Sequence, residues 1–346
     1  MLVDLDDYFI HQSACTIARV GNGIPNWQER NYFNMHSKES DMMMVCGMGM
    51  APNENQLSCY VISSAPGLGQ TSYRALRKLD GARDKLEVGA FSYTIVEPFK
   101  KWRIALASNE SGLELDLEWT SRHKPWEFGT IHTVAPDGHI LSDFMHIQQS
   151  GTYQGTAKID GKVYNLDGWY GERDRTWGIR ETTAFWIWSA IQFEDCSLSI
   201  YHFETSQGEI QYSNAGLCYE DHVSAPLELV DHNLHFQPGQ RVPTHGSFRL
   251  KGADGTISEV EFEFMGPLVS YWSPTNPDPA NRTASIVNRP DNGFDKWSYD
   301  EHWGNFLKSP VHDALVRFRM NGKVGYGIFE LLAYAYEPYG FDIPDA

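Results

Sequence analysis

An all-β fold with few short helices is predicted by three features: apolar and polar residues that alternate strictly, turn signals at short intervals, and scarce helical periodicity. Helical spacing occurs near Asp4–Ala18, around Tyr73–Leu79 and briefly at Trp303–Leu307. The body of the chain reads as strands. In Leu113–Trp119 the apolar Leu113, Leu115, Leu117 and Trp119 alternate with acids, the signature of a strand wet on one face. The pattern returns at Ile257–Phe264, where Val260, Phe262 and Phe264 alternate with Glu259, Glu261 and Glu263. Hairpin turns are expected at Pro136-Asp137-Gly138, Asp160-Gly161, Ser206-Gln207-Gly208 and Ala253-Asp254-Gly255. A long loop rich in Pro, Asn and Asp is expected over Trp272–Trp297, and a final strand over Lys323–Tyr336 closes the second sheet. Consecutive hairpins favour meandering sandwiches or barrels. With 346 residues the chain can build two cores, so the reading is two domains, 1–168 and 169–346, with a soft border within 164–180.

Composition narrows the function classes. A formal charge of −17 argues against nucleic acid, whose phosphates demand Lys and Arg, and against an anionic membrane surface. No run approaches the roughly 18 apolar residues of a membrane span, so no stable membrane insertion is expected. The N-terminus is acidic where a signal peptide is basic, which makes the cytoplasm the simplest location and leaves the sequon Asn281-Arg282-Thr283 without meaning. Cys15, Cys46, Cys59, Cys196 and Cys218 are scattered without CxxC spacing, so neither a disulfide framework nor a zinc site is suggested. Aromatic content of 13%, with eleven Trp, suits both β cores and a cavity for an apolar ligand. The oligomeric state is not legible.

The densest mix of charge and aromatic rings is Asp167–Trp188, DGWYGERDRTWGIRETTAFWIW. Its charged residues cannot all face solvent if both flanks are strands, so some pair or point into a cavity. An Arg–carboxylate staple and a functional carboxylate are both open readings. Asn26–Asn34 supplies Glu29 and Tyr32, or is simply an amphipathic strand. Asp143–Gly151 supplies Asp143, His146 and two amides; His146 is either turned into a site or a satisfied core or surface histidine. GxSxG, P-loop and HExxH templates are missing, and Gly67–Gly69 lacks a strand-then-helix setting. His232 and His235 would face opposite sides of a strand, so no metal site is expected.

Taken together, NWQERNYFN, WEFG and HIQQSGTYQGTAKIDGKVYNLDGWYGERDRTWGIR resemble the family that joins carotenoid 1,2-hydratase (hydroxyneurosporene synthase), fungal kievitone hydratase and AttH-type proteins. The resemblance covers Asn26–Trp188, with Gly168, Gly171, Arg173, Asp174, Trp177 and Gly178 as its best signature. It implies two tandem lipocalin-like (calycin) antiparallel β-barrel or barrel-like domains, the motif near their junction, and no cofactor. It also implies addition of water to an isolated alkene of an isoprenoid or prenylated compound, or in relatives a cyclisation. Such chemistry needs a neutral carboxyl, and Glu172 and Asp174 are the first candidates. Trp169, Tyr170, Trp177 and Trp186 would face the cation, with Arg173, Arg180, His146 and Tyr32 orienting. A guanidinium beside Asp174 would depress its pKa, which moves weight to Glu172, Asp143 and Glu29.

The expectation is therefore a cofactor-independent hydratase/dehydratase, isomerase or cyclase acting on a hydrophobic small molecule. The alternatives are a noncatalytic lipophile-binding protein and a carbohydrate-binding or interaction module. The carrier predicts an apolar pocket with every carboxylate ion-paired; the carbohydrate module predicts exposed Trp169 and Trp186 on a flat sheet.

Overall fold

The computed structural model describes residues 14–21, 23–37, 42–135, 137–180, 183–276, 285–287 and 289–341. Most of the Asp4–Ala18 segment and the whole sequon at Asn281–Thr283 lie outside them; residues 14–18 form bends and turns.

Twelve strands come first: β1 (Trp27–His36), β2 (Met43–Ala51), β3 (Gln56–Ala65), β4 (Gly69–Lys78), β5 (Glu87–Val88), β6 (Phe91–Glu97), β7 (Lys101–Leu106), β8 (Leu113–Ser121), β9 (Trp126–Val134), β10 (Ile140–Ile159), β11 (Lys162–Asn165) and β12 (Tyr170–Arg180). They form one antiparallel sheet in the order β4-β3-β2-β1-β12-β10-β8-β7-β6-β5, with β9 and β11 paired to the long β10. The sheet curls into a half-barrel around Phe33, Trp119 and Tyr153. Six strands then meander: β13 (Phe185–Gln192), β14 (Ser197–Glu204), β15 (Ile210–Cys218), β16 (Leu227–Phe236), β17 (Pro243–Gly252) and β18 (Ile257–Ser270). After β19 (Gly293–Trp297) and α1 (Tyr299–Phe306), β20 (Val311–Met320) and β21 (Lys323–Ala333) complete a closed eight-stranded barrel, β21 pairing back to β13.

The fold is all-β, as the alternation predicts. Leu113, Leu115, Leu117 and Trp119 are buried in β8, and the Asp160-Gly161, Ser206–Gly208 and Ala253–Gly255 turns each join paired neighbours. The helix at Trp303–Leu307 is α1, begun by Ser298, whose hydroxyl accepts from the Asp300 N–H. Tyr73–Leu79 is not a helix; it lies in β4, between β3 and β19. Its helix-forming residues are overridden by pairing on both sides and by Arg74, whose guanidinium binds Asp291 and Asp295 of the following half. The expected loop at Trp272–Trp297 thus contributes a strand, β19, to the N-terminal sheet. β12 also belongs to that sheet, so pairing switches to the barrel between Arg180 and Phe185. Among the described residues no helix is long and apolar enough to cross a membrane.

Because strand side chains alternate, β12 and β1 serve two cores at once. One face lines the half-barrel; the other packs against the outside of the closed barrel through Tyr32, Val45, Ile62, Trp188, Tyr201 and Leu315. This seam has the burial of a core, which is why β13, FWIWSAIQ, is apolar on both faces.

Candidate active site in the seam

Register builds the seam from two facing rows. On the sheet, Gln148, Asp174, Tyr32, Gly47 and Tyr60 stand side by side across β10, β12, β1, β2 and β3. Gly47 is required there: a Cβ would sit 2.4 Å from the Tyr60 ring, which lies across it. On the barrel, Asp313, Glu330, Trp188 and Tyr201 stand side by side across β20, β21, β13 and β14. Tyr32 bridges the rows, its hydroxyl donating to Asp313 Oδ2 at 2.6 Å and its ring meeting Trp188 edge-on at 5.7 Å. Trp188 Nε1 donates to His146 Nε2 at 3.2 Å, and His146 Nδ1 lies 2.7 Å from the Thr176 hydroxyl, so the ring is neutral. Burial, and then the charge of Arg180, hold its pKa well below the ordinary histidine value.

Three carboxyl groups meet here with two guanidiniums. Asp313 is wholly buried, which pushes its carboxyl up to about 6 against the opposing hydrogen bonds that it accepts from Tyr271, at 2.5 Å, and from Tyr32. Glu330 stands directly opposite in the register, and the two carboxyls share a hydrogen bond. Two carboxyls share that contact only if one is protonated. Burial, then the charge of Asp313, raises the pKa of Glu330 well above the ordinary range, so Glu330 carries the proton. Trp186 Nε1 donates to Glu330 Oε1 at 2.6 Å.

Asp174 is pushed up to about 7: burial outweighs the opposing pull of Arg180, Arg30 and Arg173, and Asp313 adds to the rise. A neighbouring guanidinium is therefore insufficient to keep this carboxyl fully ionised. Asp174, Glu330, Tyr60, Arg30 and Arg180 are packed round by protein in the seam yet stay only half-buried. Arg180 reaches Tyr201 Oη at 3.2 Å and lies over Trp186 at 5.3 Å. The Gln148 amide, beside Asp174, has no partner among the described residues for either polar atom.

A hollow of about 600 Å³ opens at the mouth of the half-barrel between Met48, Met50, Leu57, Tyr93, Trp102 and Trp177. Glu29 sits at its rim, ion-paired with Arg83 at 2.8 Å and with Arg175 at 2.5 Å.

Residues 2–342 match the profile of a family of unknown function (DUF8625). The chain belongs to that family. No curated protein matches it by sequence. Its fold is similar to that of an AttH-type protein from Nitrosomonas europaea (TM-score 0.58, 11% identity, covering 91% of this chain and 95% of that one). It is similar also to kievitone hydratase from Nectria haematococca (0.53, 11%, 88% of each chain) and to CghA bound to Sch210972 (0.54, 8%, 89% of each chain). The resemblance expected from the N-terminal motifs thus extends across nearly the whole fold.

The structure brings Asp174, Arg180, Trp186, His146 and Tyr32 together in the seam. Glu172 lies further along the same face, wholly buried, its Oε1 accepting from Gln192 at 2.8 Å and its Oε2 3.7 Å from His36. Arg173 points the other way, into the half-barrel, where it donates to Gln149 and lies over Trp102 and Trp119. Trp177 and Glu29 line the hollow, Trp169 packs on the half-barrel core, and Tyr170 stacks under Arg122. Asp143 is outside both, half exposed with His132. Sequence reasoning missed Asp313, Glu330, Tyr60, Tyr201, Tyr271 and Arg30. The available signal was a lone acid in each of two apolar runs, VHDALV and GIFELLA.

Proposed function

We propose that this protein is an enzyme acting on a hydrophobic small molecule, as a hydratase/dehydratase, isomerase or cyclase, through proton transfer by seam carboxyls. The observation that carries the reading is Asp174: a half-buried carboxyl pushed up to about 7, set in the seam among the rings of Tyr32, Tyr60 and Tyr201 with a protonated Glu330 on the facing row. A pKa near the working pH is what an acid that gives a proton and later recovers it requires. In this reading Asp174 protonates the alkene, the faces of Tyr60, Trp186 and Tyr201 stabilise the cation, and Gln148 positions water. Glu330 is too weak an acid to lead; neutral, it donates a hydrogen bond and spares Asp313 a second negative neighbour. The likeness to kievitone hydratase supports the hydration branch, and that to CghA a hydrophobic ligand. Free cysteines, four of them buried, agree with the cytoplasm as the place of action.

The test is incubation of purified protein with prenylated and terpenoid alkenes in H₂¹⁸O, read by mass spectrometry. Incorporation by wild type, lost in folded Asp174→Asn, supports the reading. Incorporation that survives both Asp174→Asn and Glu330→Gln ends it.

The hollow favours a second reading, a lipophile carrier, because its walls are mainly apolar and Glu29, one of the two carboxylates that line it with Asp84, is ion-paired to both Arg83 and Arg175. Met50→Trp fills the hollow. It should abolish binding of a lipophilic fluorophore there while leaving turnover within about threefold; loss of turnover would instead place the substrate in the hollow. The carbohydrate module finds no support in Trp186, buried in the seam, or in Trp169, packed on a core.

A further inference from the structure

Inside the closed barrel, on the opposite face of β14 from Tyr201 and Phe203, stand His202 and Glu204. The period of two puts both on the inner face, next to each other. His232 of β16, opposite the core residue Phe248 in the register, reaches the same spot. His202 Nε2 lies 2.6 Å and His232 Nε2 3.1 Å from the same oxygen, Glu204 Oε1, and the three donor atoms all lie within 4.8 Å of one another.

We propose that His202, Glu204 and His232 bind one divalent transition-metal ion, of the Zn²⁺ class, independently of the seam chemistry. Two imidazole nitrogens and a carboxylate oxygen are a donor set for such an ion, and three protein ligands leave a position for water. Bond lengths near 2.0–2.2 Å place ligand atoms ~3.0–3.4 Å apart. Small rotations of side chains already converging on one oxygen meet that spacing. The outer shell is also present. Tyr339 Oη lies 2.7 Å from His232 Nδ1 and fixes that ring, while the Tyr336 hydroxyl holds Glu204 Oε2. His202 Nδ1 has no partner among the described residues, so the ring can keep its proton there and offer Nε2 to the ion. His232 retains solvent contact, which gives the ion a way in.

The test uses the full chain, stripped with chelator and titrated with Zn²⁺ alone by calorimetry, with metal content counted after dialysis. Wild type should bind one equivalent, and His202→Ala, Glu204→Gln and His232→Asn should each weaken binding at least tenfold. His235→Ala/His245→Ala removes an exposed stacked histidine pair elsewhere on the barrel and should change nothing. X-ray absorption of the wild-type Zn²⁺ complex, which needs no variant, should show two imidazoles and light-atom ligands at ~2.0–2.1 Å. No stoichiometric binding, binding indifferent to all three substitutions, or binding lost only with His235 and His245 would overturn the proposal.

Discussion

The hollow and the seam hold the same residue types, carboxylates beside arginines among aromatic rings, with opposite outcomes. At the hollow's rim Glu29 has two guanidinium partners within 2.8 Å. In the seam none of the three carboxyls has an ion pair among the described residues; Asp313 and Glu330 are held by phenols and an indole, and Asp174 by the field of charges around it. Contact pairing neutralises an acid; enclosure without contact tunes it. β12 shows the difference within one strand, since Arg173, Arg175 and Trp177 serve the half-barrel while Glu172, Asp174 and Thr176 serve the seam.

The largest expected effect separates the two sites by activity. Asp174→Asn should cut kcat/KM at least ~100-fold, within the range for loss of a general acid, while Glu29→Gln stays within about fivefold. Equal losses would erase the distinction. Next comes Gly178, where β12 passes from Trp177 to Arg180 at a φ of +132° with the Asp143 carbonyl oxygen 2.2 Å from where a Cβ would sit. Gly178→Ala should destabilise by about 2–3 kcal/mol in denaturant titration, because strain and clash add. An unchanged midpoint would mean that β12 tolerates a different twist.

Much of this was legible in residues and part was not. The alternation in Leu113–Trp119 and in Ile257–Phe264 survives because each strand has one wet face. Tyr73–Leu79 misleads because its propensity is helical and only pairing to β3 and β19 makes it a strand. The density of DGWYGERDRTWGIR pointed to Asp174, but the seam needs a barrel strand 140 residues later to cover it, and no local pattern announces that Asp313 and Glu330 lie opposite each other. A shorter separation hid His202, Glu204 and His232, which lie on β14 and β16 and meet only when the meander curls them onto one inner face.

A smaller effect tests the tuning directly. Asp174 is raised to about 7 from an unfolded value near ~3.9, so the folded protein binds its proton more tightly than the unfolded chain does. Its contribution to stability is therefore full below about pH 4 and is lost as pH rises towards 7. Asp174→Asn should flatten this decline. The change should stay under the ~1.4 kcal/mol per pH unit of a fully linked proton, since Asp174 keeps solvent contact. If Asp174 is also the acid, kcat/KM falls as pH rises through about 7. An Asp174 contribution that rises with pH over this range would mean that Arg180 and Arg30 win over burial.

The smallest expected effect concerns Asp143, whose carboxylate lies 3.2 Å from His132 with both side chains about half exposed. Such a pair exchanges hydration for a screened attraction and comes out near zero. Asp143→Asn should shift stability by less than about 0.5 kcal/mol and leave turnover unchanged, although Asp143 lies on the same strand as His146. The backbone explains how neighbours on β10 diverge: Asp143 pairs opposite Ile179 and His146 opposite Thr176, so the odd number of steps between them turns one to solvent and the other into the seam. A large loss in Asp143→Asn would require β10 to shift register by one residue, which would also draw His146 away from Trp188 and quench the difference between seam and surface.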